Sequence, residues 1–384
     1  MEYKKIIELT TVVTGGTPST EKREYWDNGS IPWLQSGCCQ NCEVNSAGKY
    51  ITQEGYDNSS TRMMPVDTVM IALTGATAGK VGYLNFAACG NQSITGILPC
   101  GALNQRYLFY YLISQRDKIL ADCVGGAQVH ISQGYVKNIK VPVLSLVEQE
   151  QVVEVLTQLN SIISMRRKEI GLLDTLVKSR FAEMFGDPIR NPKGWKVVTI
   201  GDIVTEVRYG TSKPAVEGGK YPYLRMNNLT ADGHLDLNDL KYIDISDDEV
   251  EKCVVRKGDV LFNRTNSIDL VGKTAVFDLQ DDMVIAGYII RVRLNEKILP
   301  EVLSQYMNLE ALKDILRSMA KGAVNQANIN AQELQSIRVY VPDIELQKQF
   351  VEMKDQVDKS KSKIRKSLEE TQLLFDSLMQ KYFG

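Results

Sequence analysis

Residues 149–186, QEQVVEVLTQLNSIISMRRKEIGLLDTLVKSRFAEMFG, occur a second time in altered form at the end of the chain. Residues 347–384 align with them without a gap at an offset of 198. The identical positions include Gln149/Gln347, Val153/Val351, Glu154/Glu352, Arg167/Arg365, Lys168/Lys366 and the terminal Phe-Gly at 185–186 and 383–384. A period of about 195 residues is much longer than the units of solenoid proteins. The repeat therefore indicates two tandem copies of a domain followed by a helix.

Both copies have the heptad pattern of long helices that pack against another helix. In the first copy the two seams are Leu156, Ile163, Ile170, Val177 and Met184, and Leu159 and Leu173. In the second copy one seam is formed by Val357, Ile364 and Leu378. The other is continued by Leu368, Phe375 and Tyr382 and is interrupted by Lys354 and Lys361. About 35 residues at ~1.5 Å rise form a rod of about 50 Å, longer than one domain needs. The pattern favours two helices packed on each other; the alternative is that each helix packs on its own domain.

Shorter repeats extend the duplication into the domains. IPWLQSG at 31–37 matches YPYLRMN at 221–227, and an Asp followed by an apolar run occurs at Asp67 and at Asp259. Helices are predicted from Gln105 to Leu120 and from Pro300 to Ser318. Ser145-x-x-Glu148 predicts a capping box at the start of the first long helix, and Asp343 is the N-cap candidate of the second. The predicted organisation is a first domain at 1–148, a first long helix at 149–186, a linker at 187–194, a second domain at 195–343 and a second long helix at 344–384.

Composition limits the class of protein. The chain has 384 residues, 43% of them hydrophobic and 24% charged, and a formal net charge of −2. It contains no apolar run of the roughly 20 residues needed to span a bilayer, and its first residues lack a signal-peptide core, so we expect a cytoplasmic protein. Seven cysteines at irregular spacing fit reduced thiols. The net charge by itself does not point to nucleic acid, because DNA binders usually carry a basic excess.

Motifs for catalysis or metal binding do not match their patterns. GATAGKV resembles a phosphate-binding loop, but it has three residues between its glycines and Val81 where Ser or Thr would hold magnesium. Cys39-x-x-Cys42 has no second close pair, and His130 and His234 are the only histidines. The chain alone does not look like an enzyme, although a stand-alone enzyme with an unfamiliar site remains an alternative.

The loops of both halves are rich in Gly, Ser, Thr, Asn, Gln and Arg. Asn, Gln and Arg can pair with base edges, and Ser, Thr and Lys suit phosphates. For any single residue, ordinary turn chemistry is the competing explanation.

These features together resemble the DNA specificity subunit of Type I restriction-modification enzymes. The resemblance rests on VKSRFAEMFGD from Val177, NPKGWKVVTIGDI from Asn191, KGDVLF from Lys257, the GGTPST and YGTSKP openings, and the helix starts after Val141 and Val341. It covers essentially the whole chain. Two departures, PVDTVMI in place of KGDVLF and ELQKQ in place of VEQEQ, bear on local detail.

The resemblance implies an α+β protein with two tandem mixed α/β target recognition domains, each followed by a long helix. The helices would pair as an antiparallel coiled coil that fixes the separation of the two half-sites of a bipartite DNA target. Two modification subunits, which bind S-adenosylmethionine and methylate adenine N6, would dock on this chain. Restriction subunits would use ATP and Mg²⁺ for translocation and cleavage, so this chain would hold no cofactor. The docking candidates are Arg166, Arg167 and Lys168.

Candidate contacts to double-stranded DNA are chosen from the polar loops. In the first half they are Thr17, Ser19, Gln35, Thr77, Lys80, Gln92, Gln128 and His130. In the second half they are Ser212, Lys213, Arg225, Asn227, Arg264, Asn266, Lys273, Asn325 and Gln326. The main rival interpretation is a two-domain coiled-coil adaptor that joins protein partners without binding DNA.

Overall fold

The structure, a computed structural model, describes residues 2–123, 130–320 and 327–384. The chain forms two compact units, one of Met1–Arg167 with Lys366–Gly384 and one of Lys168–Arg365. Each unit therefore contains one globular α+β part and a section of both long helices. Among the described residues, no helix combines the length and apolar character needed to cross a membrane.

The globular part of the first unit is built from short strands and helices. Its strands are β1 (Glu2–Lys5), β2 (Val12–Thr14), β3 (Ile31–Leu34), β4 (Cys42–Val44), β5 (Lys49–Ile51), β6 (Val69–Ala72), β7 (Val81–Leu84), β8 (Cys89–Gly90), β9 (Ile94–Ile97) and β10 (Lys140–Val143). Its helices are α1 (Ile6–Leu9), α2 (Gln53–Asp57), α3 (Gln105–Ser114), α4 (Arg116–Asp122) and α5 (Gln133–Asn138), followed by the long helix α6 (Leu146–Phe185).

The second unit repeats this order with small changes. Its strands are β11 (Lys196–Thr199), β12 (Val204–Tyr209), β13 (Tyr221–Leu224), β14 (Lys241–Ile243), β15 (Val254–Val255), β16 (Val260–Asn263), β17 (Thr265–Asn266), β18 (Thr274–Val276), β19 (Met283–Ile285), β20 (Ile289–Leu294), β21 (Ala327–Asn328) and β22 (Arg338–Val341). Its helices are α7 (Asp247–Cys253), α8 (Pro300–Met307), α9 (Glu310–Met319), α10 (Ala331–Ser336) and the long helix α11 (Ile344–Phe383).

The main sheets of the two units correspond in most of their strands, but among the described residues β4 of the first unit and β15 of the second have no counterpart strand. The first unit has sheets ordered β2-β9-β6-β7-β4 and β5-β3-β8, and the second has β12-β20-β16-β18 and β14-β13-β19-β15. In both, the repeated IPWL or YPYL strand pairs in parallel with a later strand, Leu34 opposite Gly90 and Leu224 opposite Ile285. The duplication read in the sequence is thus a duplication of fold.

One glycine in each unit allows two chain segments to approach at backbone distance. A Cβ on Gly15 would lie 2.1 Å from the carbonyl oxygen of Asn91, and one on Gly210 would lie 2.2 Å from that of Ile285. No side chain fits at such distances. The glycines of the GGTPST and YGTSKP openings are therefore required by close approach.

The pairing of Asp67 with Asp259 in the sequence is wrong by one position. The backbone N–H of Asp67 donates to Leu84 O, and the corresponding bond of the second unit runs from Gly258 to Phe277 O. Asp67 therefore corresponds to Gly258, and both have positive φ, 68° and 93° respectively. The turn requires a left-handed residue, and Asp is among the few non-glycine residues that adopt this conformation readily.

Each helix predicted near the end of a domain is two helices. α3 ends at Ser114, with Gln115 as its C-cap before α4, and α8 ends at Met307, with Asn308 as its C-cap before α9. The amide of Asn308 explains the second break, because Nδ2 donates to the carbonyl oxygens of Thr274 and Ser304. Side-chain bonds to the main chain of this kind compete with continuation of a helix.

The first turn of each long helix is held by hydrogen bonds, including those of a buried glutamine that the repeat shares. The predicted capping box is confirmed, with Glu148 accepting from the backbone N–H of Ser145 at 2.9 Å. Gln149 is fully buried and accepts from Asn104 N at 2.8 Å; Gln347 is equally buried and accepts from Leu299 N at 2.8 Å. Both glutamines fix the start of a long helix to the segment that leads into α3 or α8.

The long helices pair in antiparallel orientation within each unit. In the first unit, Tyr110 hydrogen-bonds Thr157 of α6 and contacts the ring of Phe375 of α11, whereas Arg166 donates to Ser367 O. Rising numbers on α6 thus meet falling numbers on α11.

The second unit shows the same orientation. Lys361 donates to Asp174 at 2.5 Å, and the ring of Phe350 packs on Phe181 at a centroid distance of 5.3 Å. Lys361, which interrupts the seam in the sequence, is 3% exposed. The charge inside the seam is therefore compensated by a carboxylate of the facing helix.

Candidate nucleic-acid interface

The parallel strand pair of each unit brings two polar loops to one edge. In the first unit Asn91 N donates to Leu34 O at 2.9 Å, so Gln35 and Asn91 leave their strands side by side. Ala286 N donates to Leu224 O at 2.9 Å in the second unit, which gives Arg225 the position of Gln35. Parallel strands end at the same edge of a sheet, and this edge collects the repeated loops.

In the first unit this edge carries two hydrogen-bonded pairs of polar side chains. Thr17 Oγ1 donates to Gln92 Oε1 at 2.5 Å, and Thr74 Oγ1 donates to Ser93 Oγ at 3.0 Å. Thr74 also forms a β-bridge with His130. We call Thr17, Gln35, Thr74, Gln92, Ser93 and His130 the first polar surface. Thr17, Gln35, Gln92 and His130 are exposed, as a DNA-contacting role requires.

Three further candidates of the first unit lie in the adjoining connections. Ser19 is exposed on the same loop as Thr17. Thr77 and Lys80 belong to the turn between β6 and β7, where Lys80 N donates to Thr77 O at 2.8 Å. Lys80 is half-buried, and its ammonium donates to Gln40 Oε1 at 2.7 Å.

The second unit places charged side chains at the same edge. Arg225 donates to Asp239 Oδ2 at 2.6 Å. Arg264 donates to Asn328 Oδ1 at 2.9 Å and to Gly287 O at 3.4 Å. Ser212 is exposed on the loop that follows Gly210. We call Ser212, Arg225, Arg264 and Asn328 the second polar surface.

Three other candidates of the second unit adjoin this surface. Asn227 is exposed on the 3-10 turn that follows Arg225. Lys213 is exposed and donates to Glu249 at 2.6 Å. Asn266 is half-buried, and its amide donates to Asn263 Oδ1 at 2.9 Å.

Carboxylates lie beside two of these cations. The hydrogen bond from Lys213 lowers the pKa of Glu249, and the hydrogen bond from Arg225 lowers the pKa of Asp239. Both carboxylates therefore stay ionised at neutral pH and neutralise part of the positive charge. This local pairing accounts for polar surfaces on a chain that has no basic excess.

The prediction that Lys273 contacts DNA is corrected by its burial in the structure. Its residue is 8% exposed, and its ammonium donates to the carbonyl oxygens of Met226 and Leu229 at 2.9 and 2.5 Å. Burial lowers its pKa. Lys273 thus supports the turn after β13 from inside. Gln128, Asn325 and Gln326 lie outside the residues that the structure describes.

The candidates chosen from the sequence do not include Thr74, Ser93 and Asn328, which lie on the two polar surfaces. Asn328 belongs to KGAVNQANIN, a loop that the sequence singles out, but the choice there falls on its neighbours. Asn328 is identified by its place in the strand register. Thr265 pairs with Asn328 in the second unit as Thr74 bridges to His130 in the first, so Asn328 has the position of His130. That correspondence requires the strand register of both units.

The predicted docking residues differ in their availability. Arg166 donates to Ser367 O at 2.6 Å and also contacts Thr371 Oγ1, so its guanidinium is used between the two helices. Arg167 and Lys168 are exposed, and Arg167 donates to Gln372 at 3.3 Å. Of the three predicted docking residues, Arg167 and Lys168 are therefore accessible for a partner.

Within the described ranges, no group of three or more His, Cys, Asp or Glu side chains is arranged to hold a metal ion. Cys39 is buried, whereas Cys42 is exposed.

Comparison with known proteins gives a consistent result. The family model of the Type I restriction modification DNA specificity domain matches residues 1–172 and 192–371. The Type I restriction enzyme MjaIX specificity subunit of Methanocaldococcus jannaschii is 28% identical over 252 residues, which cover 59% of this chain and 58% of the relative. The chain thus spans less than two thirds of that relative's length.

A second relative and one solved structure cover more of the chain. The Type I restriction enzyme EcoKI specificity subunit of Escherichia coli is 24% identical over 404 residues, which cover 98% of this chain and 86% of the relative. The crystal structure of a Type I restriction-modification system S subunit from M. genitalium superposes with a TM-score of 0.59 at 15% identity, covering 100% of this chain and 96% of the other. That likeness establishes the fold.

Proposed function

Because the chain belongs to the family of the Type I restriction modification DNA specificity domain, we propose that it selects the DNA target of a Type I restriction-modification complex. Each unit would read one half of a bipartite sequence through its polar surface. The observation that carries this proposal is the duplicated edge, where Gln35 and Arg225 follow the same strand in the two units. Amide and guanidinium groups are the side chains that pair with base edges in the major groove.

The two surfaces differ in chemistry, and this supports the reading of two different half-sites. The first offers the amides of Gln35 and Gln92 and the imidazole of His130, whereas the second offers the guanidinium groups of Arg225 and Arg264. Amides favour adenine and guanidinium groups favour guanine. One frame with two sets of side chains suits a target whose halves are unrelated.

The chemical steps belong to partner subunits in this proposal. Two modification subunits would bind S-adenosylmethionine and methylate adenine N6, and restriction subunits would use ATP and Mg²⁺ to translocate and cut DNA. The long helices would dock the modification subunits near Arg167 and Lys168, both exposed. The complex would act on DNA in the cytoplasm.

The test is to express the chain with its cognate modification subunit and to map N6-methyladenine across the host DNA by long-read sequencing. We expect a bipartite methylated sequence that is absent when the modification subunit is expressed alone. Binding of the complex to that sequence should weaken as salt rises, because phosphate contacts release counterions.

Two results would count against the proposal. Association of the two proteins without any methylated sequence would show that the chain does not select DNA. Failure to associate, together with capture of other protein partners, would favour an adaptor that joins proteins without binding DNA.

A further inference from the structure

The guanidinium of Arg264 is held by three neighbours in the second unit. Nη2 donates to Asn328 Oδ1 at 2.9 Å, Nη1 donates to Gly287 O at 3.4 Å, and the group lies 5.0 Å from the centre of the Tyr209 ring. The Tyr209 ring is itself fixed, because its hydroxyl accepts from Ala331 N at 2.8 Å. A flexible side chain therefore has a defined plane and position.

The hydrogen bonds of Arg264 leave one N–H donor on each of its two terminal nitrogens unused. A guanidinium has five N–H donors. The contacts to Asn328 and Gly287 use one N–H on each terminal nitrogen, and Nε is buried with no hydrogen-bond partner in the described part of the chain. One N–H therefore remains on Nη1 and one on Nη2. A guanine presents two acceptors, O6 and N7, at the spacing that such a pair of donors bonds.

The partners of Arg264 are neutral, unlike those of arginines that stabilise the same unit. Arg291 and Arg293 donate to the carboxylate of Glu206 at 2.7 and 2.9 Å. Arg264 is instead bonded to an amide and a carbonyl and stacked on a tyrosine. No carboxylate among the described residues pairs with it, so its positive charge is oriented without a neutralising partner there, which is the arrangement that an anionic or electron-rich ligand requires.

The first unit has the same backbone at this place but a different side chain. Leu73 N donates to Ser93 O at 2.9 Å and Leu73 O accepts from Ile131 N at 2.9 Å. Arg264 makes the two corresponding bonds, to Tyr288 O and from Ile329 N, also at 2.9 Å. The residue in the position of Arg264 is thus a buried leucine, which carries no charge.

The supports of the arginine are also absent from the first unit. By strand register, Tyr209 opposite Ile290 corresponds to Thr14 opposite Thr95, and Asn328 corresponds to His130. The arginine, the ring beneath it and the amide that holds it thus occur together in the second unit, and none of the three occurs in the first.

We infer that Arg264 reads a guanine in the half-site bound by the second unit, and that Tyr209 and Asn328 are the positioning residues that hold its guanidinium. The inference rests on the proposed function and adds the base, the unit and the residues that set the specificity.

The experiment uses the chain in complex with its modification subunit and duplexes that carry the mapped methylated sequence. Each guanine of both half-sites is replaced in turn by 7-deazaguanine, which lacks the N7 acceptor. At one guanine of one half-site we expect binding by the native complex to fall about tenfold. At that position the complex with Arg264→Ala should be no weaker on the modified duplex than on the unmodified one.

The positioning residues predict a readout that a merely structural role would not move. Asn328→Ala should reduce the preference for guanine over adenine at that one base pair about fivefold and leave the other positions unchanged. Tyr209→Leu should have the same effect. Leu73→Met is the matched control, since it changes the corresponding buried position of the first unit and should leave the methylated sequence unaltered.

The inference and the proposed function fail in different ways. Sequence-specific binding that is indifferent to 7-deazaguanine at every position would overturn the inference alone, as would Arg264→Ala weakening binding equally on all sequences. If Arg264→Ala does not fold, Arg264→Met replaces it, and an unchanged guanine preference in that variant would also overturn the inference, because methionine has no N–H donor for O6 and N7. Absence of any sequence-specific binding by the native complex would overturn both.

Discussion

Lys80 and Lys273 occupy the same backbone position in the two units and have different roles. Each follows a glycine with positive φ, 73° at Gly79 and 80° at Gly272. Lys80 O accepts from Ala72 N at 3.0 Å, and Lys273 O accepts from Asn263 N at 2.8 Å. The first ammonium bonds the exposed amide of Gln40, whereas the second is buried against two main-chain carbonyls.

The difference shows which parts of a duplicated domain are free to diverge. The turn requires its glycine and its two main-chain hydrogen bonds, so these are the same in both units. The end of a long side chain is set by whatever segment lies nearby. In the second unit that segment is the 3-10 turn Met226–Asn228 and the residue after it, because the carbonyl oxygens of Met226 and Leu229 accept from the ammonium. Equal backbone therefore does not imply equal function.

The largest expected effect concerns the frame that the two units share. Gly15→Ala and Gly210→Ala would each place a Cβ within 2.2 Å of a carbonyl oxygen of the neighbouring strand. We expect each to lower the free energy of unfolding of its own unit by about 3 kcal/mol, because the backbone must move to relieve the overlap. Hydrogen exchange in increasing denaturant resolves the loss unit by unit.

The matched control for these glycines is Gly37→Ala. A Cβ at Gly37 meets nothing within 4 Å, so the change should stay within about 0.5 kcal/mol. If only one of the two glycine substitutions destabilises its unit, the units do not share one frame and the comparison is broken.

The lysine pair gives the next largest effect. Lys273→Ala removes two hydrogen bonds and leaves buried carbonyls without a donor, so we expect a loss of about 2 kcal/mol in the free energy of unfolding. Lys80→Ala should change stability by less than about 0.5 kcal/mol. In the complex with DNA, it should weaken binding on all sequences and reduce the salt slope by about 1.

Denaturation of both variants and a salt titration of DNA binding decide this prediction. A reduced salt slope for Lys273→Ala without loss of stability would mean that Lys273 reaches DNA after all, and the correction made from its burial would be wrong.

A smaller effect on stability is expected for the side chains that donate to the turns containing Gly79 and Gly272. Lys313 donates to Gly272 O at 2.6 Å in the second unit, and Arg116 donates to Ala78 O at 3.3 Å in the first. Burial lowers the pKa of Lys313 from 10.5 to about 8. Between these two values the unfolded chain binds the proton and the folded chain does not, so the stability contributed by Lys313 rises with pH.

Comparison with Lys313→Met isolates this contribution, because all other titrating groups are common to both proteins. From pH 7 to pH 9 the native protein should gain about 1.4 kcal/mol relative to the variant, which is one pKa unit. Urea denaturation at the two pH values measures the difference. Arg116→Met is the control for the first unit and should show no such change with pH. An equal gap between native protein and Lys313→Met at both pH values would contradict the prediction.

The sequence predicts which loops form the candidate site, but it predicts few of the contacts that their side chains make. Gln35, Gln92, Arg225 and Arg264 lie at the edge that the repeat pointed to, because repeated turn residues mark where loops leave strands. Lys273 was misplaced, since nothing local in its sequence announces the carbonyls of Met226 and Leu229, which lie more than forty residues earlier in the chain.

The amino-acid sequence alone determined the duplication, the heptad seams, the capping box at Ser145 and the glycines that the turns require. These features depend on periodicity and on backbone geometry, which a few neighbouring residues specify. The tertiary structure decided which polar ends reach the surface, which charge pairs inside the helix seam, and which side chains hold Arg264 in place. Those outcomes depend on residues distant in the chain, because a side chain's exposure and partners are set by the segments that fold against it.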